Sequence, residues 1–147
     1  MPALRDVVDL DGALLRLADP VLRRRVRHVV SENTRVLSTV DALRTGDWVE
    51  VGRLFTASHA SMRGDYEITV PTVDLAVEVA LAHGALGARM TGGGFGGCVL
   101  ALVPQAAAQS IQAAVTEAFA AAGFAAPTGF LAHASDGATR LFGRVPS

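Results

Sequence analysis

The chain has 147 residues, half of them apolar, and a formal net charge of −1 at pH 7, with a mean hydropathy of +0.36. This length suits one domain with a sizeable core, and no apolar run reaches the roughly 20 residues of a membrane span. A charge this close to zero gives no general pull toward nucleic acid or anionic lipid, and a single cysteine, Cys98, makes neither a disulfide nor a metal cluster.

Residues 1–17 mix acidic and apolar residues, and Leu10, Leu14, Leu15 and Leu17 suggest a short helix. With Arg5, Asp6 and Asp9 so early there is no apolar signal-peptide core, so a soluble, cytoplasmic protein is expected. Asp19 as N-cap and Pro20 in the first turn open a longer helix. Its apolar face is Leu22, Val26, Val29, Val30, Leu37, Val40 and Leu43, and Gly46 closes it. Arg23, Arg24, Arg25, Arg27 and His28 spread over more than one face, which favours a solvated or ion-paired surface over a polyanion site. Asp47 opens a second helix with Glu50 in a capping-box arrangement. Along it Trp48, Val51, Phe55, Ser58 and Met62 recur at helical spacing, broadened by Leu54 and His59. The two helices should pack antiparallel. His59 reads as a hydrogen-bonded boundary residue, with no acidic partner at a fixed spacing.

A turn at Gly64-Asp65 precedes a helix from about Pro71 to His83, apolar nearly all round and so buried on most sides. Leu86 to Thr91 reads as a strand, and the apolar run Cys98 to Val103 as a second, buried one in which Cys98 is a small buried hydrophobe. A helix with Ile111, Val115, Ala118, Phe119 and Ala122 begins near Pro104 and stops at Gly123. Residues 129–134 read as a third strand and 138–142 as a short fourth. The expected fold is α+β: a mainly antiparallel, four-stranded, ferredoxin-like sheet covered by helices. Residues 1–63 form its helical segment and residues 64–147 its α+β part, within one domain.

Between the first two strands lies Thr91-Gly92-Gly93-Gly94-Phe95-Gly96-Gly97. Ordered glycine costs about 0.5–1 kcal/mol relative to alanine, so this density needs a reason. Two remain open: positive φ angles for tight turning, or another molecule lying against bare backbone, as when N–H groups cradle phosphate. Gly92, Gly94 and Gly97 satisfy G-x-G-x-x-G, but a strand rather than a helix follows, which removes the dinucleotide reading. No Gly-Lys-Ser/Thr follows, which removes the Walker A reading.

The stretch Ala88-Arg89-Met90-Thr91-Gly92-Gly93-Gly94-Phe95-Gly96-Gly97-Cys98 resembles the third motif of the GHMP small-molecule kinases, in the form typical of galactokinases. Arg25 to Glu32 resembles their arginine-histidine helix. Ser58 to Arg63 with Asp65 to Ile68 and Pro71 resembles the segment before their buried helix, and Ser135 to Ala138 their C-terminal turn. Gly64 departs from the family, where many members carry an acidic residue. The resemblance implies the C-terminal domain of an enzyme that transfers the γ-phosphate of ATP to the 1-hydroxyl of galactose. It also implies that the sugar-recognition segment, the phosphate loop, the Mg2+ ligands and the catalytic aspartate lie in an N-terminal half outside these residues, as in a truncated, split or mis-started gene. The chain alone should then be inactive, needing a separate N-terminal half as partner, with galactose and ATP as substrates. No catalytic or metal residue is carried over here. Thr91, Gly92, Gly93, Gly94, Gly96 and Gly97 are expected near substrate or nucleotide, and Phe95 should anchor the loop in the core. Arg89 could face either the phosphates or a carboxylate. A Gly94→Val change is expected to impair turnover. The competing class is a non-catalytic α+β module that binds a metabolite or a partner.

Overall fold

The computed structural model describes residues 3–137 and Thr139. A 3-10 turn, Leu4–Asp6, and helix α1, Leu10–Leu15, lead into α2, Pro20–Thr45. Asp19 starts α2 as the sequence predicts, its carboxylate accepting the Val21 N–H at 2.7 Å. Gly46 ends it in the left-handed region, with φ 71°. Asp47 then caps α3, Trp48–Ser61, by accepting the Glu50 N–H at 3.0 Å. The cap is not reciprocal: the Glu50 carboxylate pairs with Arg53 at 2.6 Å.

Helix α3 runs into a π-helical turn, Met62–Tyr66, followed by α4, Pro71–Ala82. Strands β1, Gly87–Thr91, and β2, Cys98–Leu102, pair antiparallel with Ala88 opposite Ala101 and Met90 opposite Val99. A 3-10 turn, Gln105–Ala107, then leads to α5, Ala108–Ala121. Because side chains alternate along a strand, Ala88 and Met90 share one face, and both are fully buried. Ala88 packs with Val77 and Ala80 of α4 and Ile111 of α5, and Met90 with Met62 and Val73.

Helix α3 runs along β1 and touches it at two points. A Cβ placed on Gly52 would fall 2.2 Å from the Leu86 carbonyl oxygen, and one on Gly87 would fall 2.0 Å from the Gly52 oxygen. Further along, the Met90 N–H donates to His59 Nδ1 at 3.2 Å. That N–H lies on the edge of β1 away from β2, so a helix and not a strand covers this edge.

The sheet is the main correction to the sequence reading. Among the described residues it has two strands, not four. Residues 129–134 are not a strand: Phe130 and Leu131 are exposed, and the segment is held by the Gln112 side-chain amide donating to the Gly129 oxygen at 3.2 Å. Apolar, β-prone residues become a strand only where an edge is free to pair, which is why strand propensity depends so much on context. Of the expected fourth strand, residues 138–142, all but Thr139 lie outside the described residues.

Burial brings further corrections. Strand β2 is not buried throughout: Cys98 and Leu100 are exposed, since helices cover the hairpin on the Ala88–Met90 face. On α2 only His28 and Ala42 are buried, while Leu22, Leu37, Val40 and Leu43 are exposed. On α3 the buried stripe is Val51, Leu54, Ser58 and His59, continuing to Met62. Trp48, in the first turn, is 52% exposed.

Candidate functional site

Thr91 ends β1 exposed, and the glycine loop projects beyond it. Of the two sequence explanations for the glycines, positive φ applies at four positions. Gly92, Gly94, Gly96 and Gly97 have φ of 98°, 88°, 126° and 97°, a region that side chains resist. Gly93 has no positive φ, and a Cβ there would meet nothing within 4 Å. Nothing among the described residues therefore requires glycine at Gly93. Among the described residues, the N–H groups of Gly92, Gly93, Gly94, Gly96 and Gly97 have no hydrogen-bond acceptor. They remain free to receive one from another molecule.

Phe95 overturns its expected role. It does not anchor the loop in the core: it is 74% exposed, with φ 58°. The loop turns at the rim, beyond the helices, and its hold is through backbone: the Phe95 N–H donates to the Ile68 oxygen at 2.7 Å. Beside that bond, a Cβ on Gly94 would come within 3.0 Å of the Ile68 Cβ. A Gly94→Val change thus strains the loop against Ile68, and its effect on turnover would not by itself report contact with substrate.

The open orientation of Arg89 resolves toward a carboxylate. Its guanidinium stands 3.9 Å from Glu32 of α2 and donates to its neighbour's carbonyl, Met90, at 3.1 Å. Glu32 accepts from the Ser58 hydroxyl at 2.6 Å and from Arg35. Burial alone would raise the Glu32 carboxyl, but the hydrogen bonds from Ser58 and Arg35 and the charges of Arg35 and Arg89 hold it below its usual range.

The arginine run is ion-paired, as its spread over faces suggested. Arg24 and Arg25 reach Glu67 at 3.2 and 2.6 Å, and Arg27 reaches Asp65 at 2.9 Å. His28, under this cluster, stacks on Tyr66 with ring centroids 4.4 Å apart. Ser61 donates to Asp65 at 3.1 Å, so its oxygen accepts from His28 Nδ1 at 3.0 Å. Burial lowers the His28 pKa, with Arg35 and Arg89 adding to the effect and Glu32 and Asp65 opposing it.

His59 is buried and hydrogen-bonded, and it does have an acidic partner. Its Nε2 lies 3.1 Å from Asp74 Oδ1 of α4. The sequence gives no sign of this pair, because a separation of 15 residues across two helices and a π-turn matches no regular spacing. Burial pulls the His59 pKa down, with Arg63 and Arg89 adding to the effect and Asp74 opposing it. Both histidines are buried in structural bonds and neither is exposed to act as a general base. Among the described residues, no group of three or more His, Cys, Asp or Glu could hold a metal ion, and no helix is long and apolar enough to cross a membrane.

Residues 39–121 match the family described as GHMP kinases C terminal. The chain is similar to the galactokinase of Streptomyces coelicolor, 53% identical over 142 residues that make up 95% of this chain and 37% of that protein. The backbone is similar to Lactococcus lactis galactokinase in its complex with galactose, at TM-score 0.82 and 36% identity, covering 86% of this chain and 34% of that one. L. major mevalonate kinase, in complex with R-mevalonate, shares the fold at TM-score 0.54 and 22% identity, covering 82% of this chain and 35% of that one. The chain thus spans little more than a third of the relatives it matches.

Proposed function

Since the chain belongs to the GHMP kinases, matching their C-terminal portion, we propose that it is the C-terminal part of a cytoplasmic galactokinase. Such an enzyme phosphorylates galactose at its 1-hydroxyl with ATP. The carrying observation is 53% identity to a galactokinase across 95% of this chain, joined to a loop whose N–H groups lack acceptors. On this reading the 147 residues act as one domain. The packing of α3 on β1 supports that, because it ties the helical segment 1–63 to the α+β part 64–147.

Phosphoryl transfer asks a protein mainly for positioning and charge stabilisation. This chain contributes one wall of the site. The glycines between Thr91 and Gly97 would present bare backbone to the sugar or the ATP phosphates, with N–H groups that lack acceptors among the described residues and no side chain at Gly93 to hold an incoming oxygen away. Arg89, paired with Glu32, braces the strand beneath. Magnesium would supply neutralisation of phosphate charge, and on this reading its ligands belong to the proposed N-terminal half. That half also supplies the base. The isolated chain is therefore inactive.

A chimera tests this reading: the chain replaces the matching portion of the Streptomyces galactokinase, and galactose-dependent ADP release is followed. The chimera should turn over and the chain alone should not. A folded chimera without galactose-dependent turnover refutes the proposal. Gly93→Ala should leave the stability of the chain unchanged and lower turnover about tenfold or more, because a misplacement of 1 Å at a reacting centre costs on that scale. Unaltered kinetics would mean that nothing approaches Gly93.

A further inference from the structure

The glycine loop is held at two places, and both lead to the same short segment before α4. At its apex the Phe95 N–H donates to the Ile68 oxygen at 2.7 Å. At its stem the Met90 N–H, just before Thr91, donates to His59 Nδ1 at 3.2 Å. A backbone N–H can only donate, so Nδ1 must be the unprotonated nitrogen. Nε2 then carries the hydrogen and donates to Asp74 Oδ1 at 3.1 Å. The other Asp74 oxygen accepts from Thr69 Oγ1 at 3.3 Å and forms an ion pair with Arg63 Nε, also at 3.3 Å. Thr69 adjoins Ile68, which closes the circuit at the apex bond. One neutral imidazole, 5% exposed, therefore joins α3, α4 and β1 at the root of the loop.

We propose that His59 is a positioning residue that sets the glycine loop, with Asp74 fixing the tautomer that accepts the Met90 N–H. Its consequence for phosphoryl transfer rests on the kinase reading above; its hold on the loop does not. Among the described residues no other side chain takes that N–H. The charged groups facing the imidazole are Asp74 of α4, Arg63 of the π-turn and Arg89 of β1. A doubly protonated ring would turn a hydrogen toward the Met90 N–H and break the stem bond. His59 touches no substrate on this account; it acts through β1.

The test compares variants in the 147-residue chain by amide hydrogen exchange at one fixed pH. His59→Leu keeps an apolar filling but offers no acceptor. His59→Asn places a carboxamide oxygen near the Nδ1 position and does not reach Asp74. Ile111→Val trims the α4–α5 core as a control for general destabilisation. With His59→Leu, the Met90 amide should exchange about tenfold or more faster relative to α5 amides, and the Gly92 to Gly97 signals should shift. With His59→Asn, the Met90 amide should stay protected while the loop signals move less. A response to His59→Leu as uniform as that to Ile111→Val overturns the proposal, and so does an unfolded His59→Leu chain if His59→Asn leaves Met90 unprotected. In the chimera, His59→Leu should lower kcat about tenfold with the galactose KM little changed. A lowered KM-dependent rate with kcat intact would overturn the link to catalysis. A chimera inactive with His59 in place would sink the kinase reading, and the exchange comparison would still decide the tether.

Discussion

Gly52→Ala is the substitution for which simple propensity and this structure predict opposite signs. Gly52 lies inside α3, where alanine is favoured over glycine by about 1 kcal/mol, so propensity alone predicts stabilisation. The new Cβ would stand 2.2 Å from the Leu86 oxygen and 2.4 Å from its carbon, whereas ordinary contact begins at 3.4 Å. The obstacle is backbone, which cannot rotate aside as a side chain can. Helix and strand would have to part by about 1 Å, and overpacking of this kind costs roughly 3 kcal/mol or somewhat more. Parting would also stretch the 3.2 Å bond between Met90 and His59, a loss of about 1 kcal/mol. Against the propensity gain the net is a destabilisation of about 3 kcal/mol. Urea unfolding of the chain followed by far-ultraviolet circular dichroism measures it. With a slope near 2 kcal/mol/M, the midpoint should fall by about 1.5 M. Gly64→Ala is the control, since a Cβ there meets nothing within 4 Å. A midpoint for Gly52→Ala that holds or rises would refute the close approach.

Further expectations concern pH, the loop and the thiol. Burial holds His28 and His59 below the ordinary histidine value of 6.5, so the unfolded chain binds protons that the folded chain refuses. Stability is then complete above about pH 6.5 and falls as pH drops from there toward the folded-state values. Urea midpoints at pH 7.5 and 5.5 check the sign, and a higher midpoint at 5.5 would contradict it. Phe95→Gly removes a side chain from a residue with φ 58° that is 74% exposed. It should stabilise the chain by up to about 1 kcal/mol through relief of left-handed strain, read as a rise in the same urea midpoint. Had Phe95 been a core anchor, the change would cost several kcal/mol instead. Cys98 is exposed, so a maleimide should label the native chain without denaturant, and labelling only after unfolding would place the thiol inside.

Chain punctuation was legible in the sequence. Asp19, Pro20, Gly46, Asp47 and Gly123 mark helix ends through chemistry confined to a few neighbouring residues, and the helix ends observed follow them. The glycine loop and its family resemblance were legible for the same reason, since positive φ at Gly92, Gly94, Gly96 and Gly97 favours glycine whatever surrounds it. Even the arginine run declared itself as a solvated or ion-paired surface, although not that Asp65 and Glu67 would pair with it.

Which surface meets which was decided only in three dimensions. The apolar stripe on α2 fits a buried helix, yet most of it is exposed, because burial depends on how much partner surface lies opposite. Residues 129–134 have strand composition and no strand, because composition alone does not supply a pairing partner. Gly52 and Gly87 carried no sign in the sequence that they would touch, nor did His59, Asp74 and Met90. Local chemistry fixes where the chain turns, since the atoms responsible are neighbours along it. Tertiary packing alone sets how two backbones approach and which nitrogen of a histidine keeps its proton, since the deciding atoms there belong to distant residues.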